Sequence, residues 1–360
     1  MEFGKSRSVS GQQKSRGQFV DMKEVKKVLI IRFSSIGDIV WTTPVIRCIK
    51  QQCSDVEVHY CTKVQYKSMV EANPYIDKLH FLEESLGALI NVLKKEQFDF
   101  VVDLHRNIRT AIIKFRLKTR SKAYNKLRVK RFLYTNFQIN LMPNCHVVDR
   151  YFEAASPLGI KNDDRGLDYF IPEKDEVESG WLPETHRNGY VAYVIGATGW
   201  TKILPFKKMV ELCDKINKPI VLVGGKEDYE AGDKLEKFFN SDEGNKEFDD
   251  GLQKLGKKAV VFNGCGKFNL SQSASLVKGA HVVFGHDTGL THIAAAFKKT
   301  VFSIWGGTVP NNFYPYGTRF FLIENTRLKC RPCSKSGRSK CPKGHFKCMN
   351  DLVFDFNLPN

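Results

Sequence analysis

What the chain lacks narrows its function first. None of its apolar runs approaches the roughly 18–20 residues that a bilayer span requires. The first 25 residues are basic and contain no continuous apolar stretch, so they do not read as a secretory leader. They read as a disordered basic tail, with Met22 a candidate initiator, and the missing export signal places the chain in the cytoplasm. Neither G-x-G-x-x-G nor G-x-x-x-x-G-K-[ST] occurs, which removes the usual dinucleotide and P-loop signatures, and H-E-x-x-H is absent too. There is no internal repeat and no low-complexity tract. Acid is the most unevenly missing chemistry: no Asp or Glu lies between Asp103 and Asp149, while eleven Lys or Arg fall from Arg106 to Arg131. With a formal charge of +17, such a surface attracts phosphates on nucleic acid, anionic lipid or a phosphorylated glycan. The plainer alternative is a solvated basic helix face.

What is present is a globular composition, 42% hydrophobic and 26% charged, long enough at 360 residues for two domains. Short apolar runs alternate with helical patterns, and the alternation occurs twice. KVLIIRF (27–33), VEVHYC (56–61), KLHFL (78–82) and FDFVVDL (98–104) are the strands of the first half. YVAYVIGA (190–197), PIVLVGG (219–225), AVVFNG (259–264), HVVFG (281–285) and TVFSIWG (300–306) are those of the second. Continuous apolar strands between helices predict parallel sheets covered on both faces. The fold class is therefore α/β, with two Rossmann-like domains facing across a cleft. The expected domains span 26–175 and 188–325, followed by a cysteine-rich tail at 326–360; the polar stretch 171–189, with two prolines, marks the boundary.

Ligands of open α/β sheets bind beyond the carboxyl ends of the strands, so the polar residues in those turns are the site candidates. In FSSIGDIVWTTP (33–44), Ser34, Ser35, Gly37 and Asp38 follow the first strand. Ser and Asp there could simply cap a helix. Facing a cleft, Asp38 would instead be a general base, ionised at neutral pH and steadied by the helix dipole. In GHDTGLTHIAAAF (285–297), glycines permit close approach and a helix start offers N–H groups to an anion; Asp287, Thr288, Gly289 and His292 point to a phosphate and sugar site. In GATGWTKILP (196–205), Lys202 could neutralise a leaving phosphate. In GGKEDYE (224–230), an acid could hold ribose hydroxyls.

These motifs, S-S-I-G-D-I-V-x-T-x-P, G-x-D-T-G-L-T-H-I-A-A-A and K-x-x-P at 202–205, together resemble the heptosyltransferases of glycosyltransferase family 9 from about residue 26 to about 325. The resemblance implies the B-type glycosyltransferase fold, with an N-terminal acceptor-binding domain and a C-terminal nucleotide-sugar-binding domain. It further implies inverting transfer of heptose from ADP-heptose to the lipopolysaccharide inner core, without a catalytic metal or other cofactor. Asp38 would deprotonate the acceptor hydroxyl in a loop shaped by Ser34, Ser35 and Gly37. Lys202, Thr201, Asp287, Thr288, Gly289, Leu290 and His292 would contact the donor, and Asp228 or its neighbour Glu227 the ribose. Arg106 and Arg109, in the acceptor half, would engage the phosphates and acid sugars of the acceptor. Where the family often has Trp before the proline of this last motif, Leu204 stands here. The implied location is cytoplasmic, peripheral at the cytoplasmic face of the inner membrane.

Four of the ten cysteines, Cys330, Cys333, Cys341 and Cys348, crowd into the tail with His345 among them. That spacing suits a structural zinc or iron, His345 substituting for one thiolate, and disulfides are disfavoured in a reducing compartment. The tail also resembles cysteine-rich tails among relatives of this family, some of which glycosylate proteins instead of lipid. Three alternatives stay open: another nucleotide sugar or a protein acceptor, a sugar-nucleotide epimerase of the same fold, and a nucleic-acid-binding protein using the basic segment and the cysteines. The last is not expected, because nucleic-acid binding gives no reason for D-T-G-x-x-H at a helix entry.

Overall fold

The computed structural model describes residues 25–241 and 259–359. The expected tail at 1–25 thus lies outside the described residues, except for Val25, which is buried in the core.

The first lobe runs β1 (Lys27–Ile31), α1 (Ile36–Val40), α2 (Thr43–Gln52), β2 (Glu57–Lys63), β3 (Lys78–Leu82), α3 (Leu86–Glu96), β4 (Phe100–Asp103), α4 (Ile108–Leu117), β5 (Arg120–Ala123), α5 (Arg128–Phe137) and α6 (Val147–Ala155). The second runs α7 (Glu184–Arg187), β6 (Val191–Val194), α8 (Phe206–Ile216), β7 (Pro219–Val223), α9 (Tyr229–Asn240), β8 (Val260–Asn263), α10 (Leu270–Gly279), β9 (Val282–His286), α11 (Gly289–Ala296), β10 (Thr300–Trp305), β11 (Phe320–Glu324) and α12 (Lys347–Asn350). Strand order is β3-β2-β1-β4-β5 in one sheet and β11-β10-β9-β6-β7-β8 in the other. Every pairing is parallel.

The apolar runs are continuous because both sheet faces are covered. Alternate residues of β1 enter different cores: Val28 and Ile30 pack on one side with α2 and α6, Leu29 and Ile31 on the other with α3. In β6, Val191 and Tyr193 pair off against Ala192 and Val194 in the same way. The structure adds two edge strands to those expected: β5 (RSKA), which has no apolar run and whose side chains are mostly in water, and β11 (FFLIE), an apolar run at the edge of the second sheet.

The order of the strands puts a switch point between β1 and β4 and another between β6 and β9, since chain succession runs outward from β1 and β6 in both directions. Crevices at such points are where ligands bind. The lobes also share packing. Ile293, Ala295 and Ala296 of α11 join the core of the first lobe. The Asn312 carbonyl accepts the Val147 N–H at 2.9 Å. The tail folds back on the second lobe through Phe346, Cys348, Met349 and Leu352.

Arg47 of α2 is fully buried and fastens that helix to the segment leaving the first lobe. It donates to Asp163 at 2.7 and 2.8 Å, to the Gly166 carbonyl at 2.9 Å, and to Asp168. Hydrogen bonding to Arg47 holds the Asp163 carboxyl down at about 2. An acid whose pKa is depressed on folding stabilises above its unfolded value, about 3.9, and the contribution disappears as pH falls from 4 towards 2. Arg47→Met should therefore cost about 2–3 kcal/mol at pH 7, less than the roughly 3–5 of a dry pair because the carboxylates keep some water contact. Urea unfolding at pH 7 and pH 3 checks this: the wild-type margin should shrink at pH 3.

Candidate active site

Three turns converge where the switch points face one another. A cavity of about 470 Å³ is lined by Ser35, Gly37 and Asp38 from the first lobe and by Lys202, Asp287 and His292 from the second. Thr288 and Gly289 also line it.

Asp38 occupies the first turn of α1, so it does cap that helix end: its carboxylate accepts from the Ser35 N–H at 3.2 Å and the Ser35 hydroxyl at 2.8 Å. Its other oxygen is 2.5 Å from the guanidinium of Arg32, while 28% of the side chain stays open to the cleft. Arg32 itself is buried and donates also to the Ser34 carbonyl at 2.7 Å, to Tyr151 at 2.9 Å and to the Leu104 carbonyl. Burial pushes the Asp38 pKa up, but the Arg32 charge and the Ser35 hydrogen bonds outweigh it, and the carboxyl sits below its ordinary value. Capping and cleft-facing are thus compatible in one side chain. Arg32 was legible only as the polar end of a strand; the signal was that arginine is almost never buried unless paired.

The second lobe answers with Lys202 and Asp287. The buried Lys202 ammonium donates to the Asp287 carbonyl at 2.6 Å and pairs with its carboxylate at 2.8 Å, which also accepts from Thr308 at 3.0 Å. Thr288 is the N-cap of α11, whose entry faces the cleft. His292 is buried, its ring 4.4 Å from that of Trp41, and burial pushes its pKa down to about 4, so it is neutral at pH 7. Its Nδ1 has no hydrogen-bond partner among the described residues.

Gly37 serves close approach: a Cβ there would come 2.7 Å from His292 Cδ2, and one on Gly289 would strike Ile36. Asp228 is half-buried, accepts the Gly225 N–H at 2.8 Å and fills the space a side chain on Gly196 would need; burial raises its pKa. It and the exposed Glu227 sit beyond β7, outside the lining of this cavity. Thr201 is buried and clamps the tail, its hydroxyl accepting the Arg338 N–H at 2.8 Å. Leu290 packs into the apolar layer between the lobes. Leu204 is core, and its N–H donates to His286 at 3.0 Å.

Of the basic segment, Arg106 bonds to the Tyr124 carbonyl at 3.2 Å and Arg109 lies in a separate surface groove beside β3; neither lines the cavity. Besides Arg32 and Lys202, the cations that do are Lys126, Arg131 and, from the tail, Lys335. Burial, with Arg32, Arg128 and Lys335 nearby, pushes Lys126 down to about 8. Arg131 stands 4.7 Å over the Phe313 ring.

The tail cysteines gather only loosely. Cys330 Sγ lies 3.8 Å from His345 Nε2, the spacing of two ligands on one tetrahedral ion. Among the described residues, however, the trio whose ligand atoms all fall within 4.8 Å is a different one, His59, His80 and Glu96. There the imidazoles bond each other at 3.0 Å and Lys78 holds Glu96 at 2.6 Å, so the charge is already matched.

Two parallel α/β lobes meeting in this way form the B-type glycosyltransferase architecture. The chain belongs to glycosyltransferase family 9 (heptosyltransferase), whose family description matches residues 86–343. It is 25% identical over 333 residues to lipopolysaccharide heptosyltransferase 1 of Campylobacter coli, covering 84% of this chain and 90% of that protein. The crystal structure of the family 9 glycosyl transferase from Veillonella parvula DSM 2008 superposes with a TM-score of 0.66 at 18% identity, covering 86% and 89% of the two chains. E. coli ADP-heptose lps heptosyltransferase II gives 0.63 at 16% identity, covering 90% and 98%. The protein is a heptosyltransferase-like glycosyltransferase.

Gly37→Ala should cost about 1–3 kcal/mol by overpacking and lower sugar transfer by roughly tenfold or more, a misplacement effect. A double-mutant cycle with His292→Ala checks the cause: removing the ring should recover part of the lost stability, whereas simple additivity would mean the two do not collide.

Proposed function

We propose that the chain transfers heptose, or a closely similar sugar, from ADP-heptose to the core sugars of a lipid-borne acceptor. What carries the reading is Asp38 of one lobe facing Lys202 and the α11 entry of the other across a single cavity. The acceptor oxygen attacks the anomeric carbon as the bond to the diphosphate breaks on the opposite face, giving inversion. Its proton passes to Asp38. A carboxylate held ionised by Arg32 can take it because the hydroxyl becomes acidic as the new bond forms. Negative charge collects on the departing ADP, where the Lys202 ammonium and the N–H groups at the α11 entry offset it. The neutral His292 offers a hydrogen bond to the sugar without adding charge. Asp228, beyond β7, would hold the ribose. Lys126, Arg131 and Lys335 suit an acceptor carrying phosphates or acid sugars.

Incubation of the full chain with ADP-heptose and a panel of other nucleotide sugars, with and without core acceptors, tests this. ADP release that requires both ADP-heptose and acceptor is expected; acceptor-dependent release from a different donor, or with a protein acceptor alone, would replace the assignment. Asp38→Asn should lower turnover by roughly 10²–10⁴-fold while donor affinity, read by calorimetry, stays near wild type. A variant keeping full turnover removes Asp38 as the base.

A structural zinc or iron on the tail is part of the same proposal. Cys330, Cys333, Cys341 and Cys348, with His345 as substitute, would close around it and fix the wall that carries Lys335. Elemental analysis of freshly reduced protein should find one equivalent of either metal; finding neither removes the metal and leaves packing to order the tail.

A further inference from the structure

The basic segment has a second peculiarity that sugar transfer does not use. Eight of the seventeen exposed large apolar side chains among the described residues fall between Ile108 and Leu141. On α4, Ile108, Ile112 and Phe115 recur at helical spacing along one stripe, with Ile108 80% and Phe115 78% exposed, while Thr110 and Ile113 face the lobe. On α5 no residue is buried; Val129, Phe132 and Phe137 point away from Arg131 and Thr135, which line the cleft. The two helix starts adjoin, since the Arg128 guanidinium donates to the Arg106 carbonyl at 3.1 Å. Around this apolar surface lie Arg109, Arg116, Lys118 and Lys130, all exposed and in no ion pair among the described residues. No acid interrupts them.

Scattered exposed leucines need no explanation, but an apolar stripe rimmed by one sign of charge does. We propose that α4 and α5 form a docking surface for an anionic lipid bilayer. Ile108, Phe115, Val129 and Phe132 enter the boundary between headgroups and acyl chains, and the surrounding Lys and Arg meet the headgroup phosphates. Nucleic acid would use the cations and could stack on the phenylalanines, but gains nothing from Ile108, Ile112 and Val129. A second copy docking by a two-fold axis would set like charges against like. Because the inner side of α5 lines the cleft, docking holds the cleft mouth at the lipid surface. The purpose of docking rests on the reading of a lipid-borne acceptor; the binding itself does not.

Co-sedimentation of the full chain with phosphatidylcholine vesicles, with and without phosphatidylglycerol and with no acceptor present, tests the surface. Binding should need phosphatidylglycerol and weaken as salt rises. Ile108→Ser with Phe115→Ser, and separately Arg116→Glu with Lys130→Glu, should each lower the partition coefficient by roughly tenfold or more. Both variants should keep the wild-type melting temperature and the rate of ADP release with a water-soluble acceptor fragment. Binding that ignores phosphatidylglycerol, or that neither variant weakens, overturns the proposal. So does self-association in sedimentation equilibrium that the Ile108 and Phe115 changes abolish, or DNA binding that only the charge reversals abolish. The soluble-acceptor assay decides the transfer reaction without vesicles, so the two readings fail separately.

Discussion

Helix α1 touches helix α11 where Gly37 lies under the ring of His292 and Gly289 lies against Ile36. With no Cβ on either side, two helix starts from different lobes come closer than side chains would permit. The site depends on this contact. It sets the carboxylate that follows β1 opposite the polar entry that follows β9, and it does so at the switch points of both sheets. The alanine-rich face of α11 that completes the contact is buried in the core of the first lobe, so the same helix carries the site and joins the lobes.

Charge in the cleft is arranged by the same geometry. Arg32 is buried beneath Asp38 and gives its other hydrogen bonds to two carbonyls and Tyr151, so it anchors the carboxylate from the protein side. Lys202 and Asp287 hold each other in a similar way on the far wall. The cations left over, Lys126, Arg131 and Lys335, come from a segment without acids and from the tail. Their crowding adds to the burial that depresses Lys126, and an anionic ligand would relieve it.

Much of the architecture could be read from residue order because interior parallel strands are apolar throughout. KLHFL coincides with β3 to the residue. One edge strand escaped because RSKA, in β5, meets the sheet on one side only and has no apolar pattern to display; the other, FFLIE in β11, is an apolar run that the expected strands do not include. Among the site residues, the turns at 34–38 and 285–292 stood out as polar interruptions after apolar runs, and they meet. Leu290 lies in the second of these turns and Thr201 in the turn at 196–205, yet they face the interlobe layer and the tail. Arg109, close in sequence to the cleft side of the segment, lies on the other side of its helix start.

What the sequence determined by itself was local: alternating strand and helix, glycines and acids at strand ends, and one stretch with no negative charge. Those follow from periodicity and composition, which act between near neighbours. The tertiary structure alone decided that Arg32 underlies Asp38, that Lys335 of the tail shares a cavity with Lys126, and that α4 turns an apolar stripe outward. Such pairings join residues far apart along the chain, and they are fixed by how buried faces pack, which no local pattern encodes.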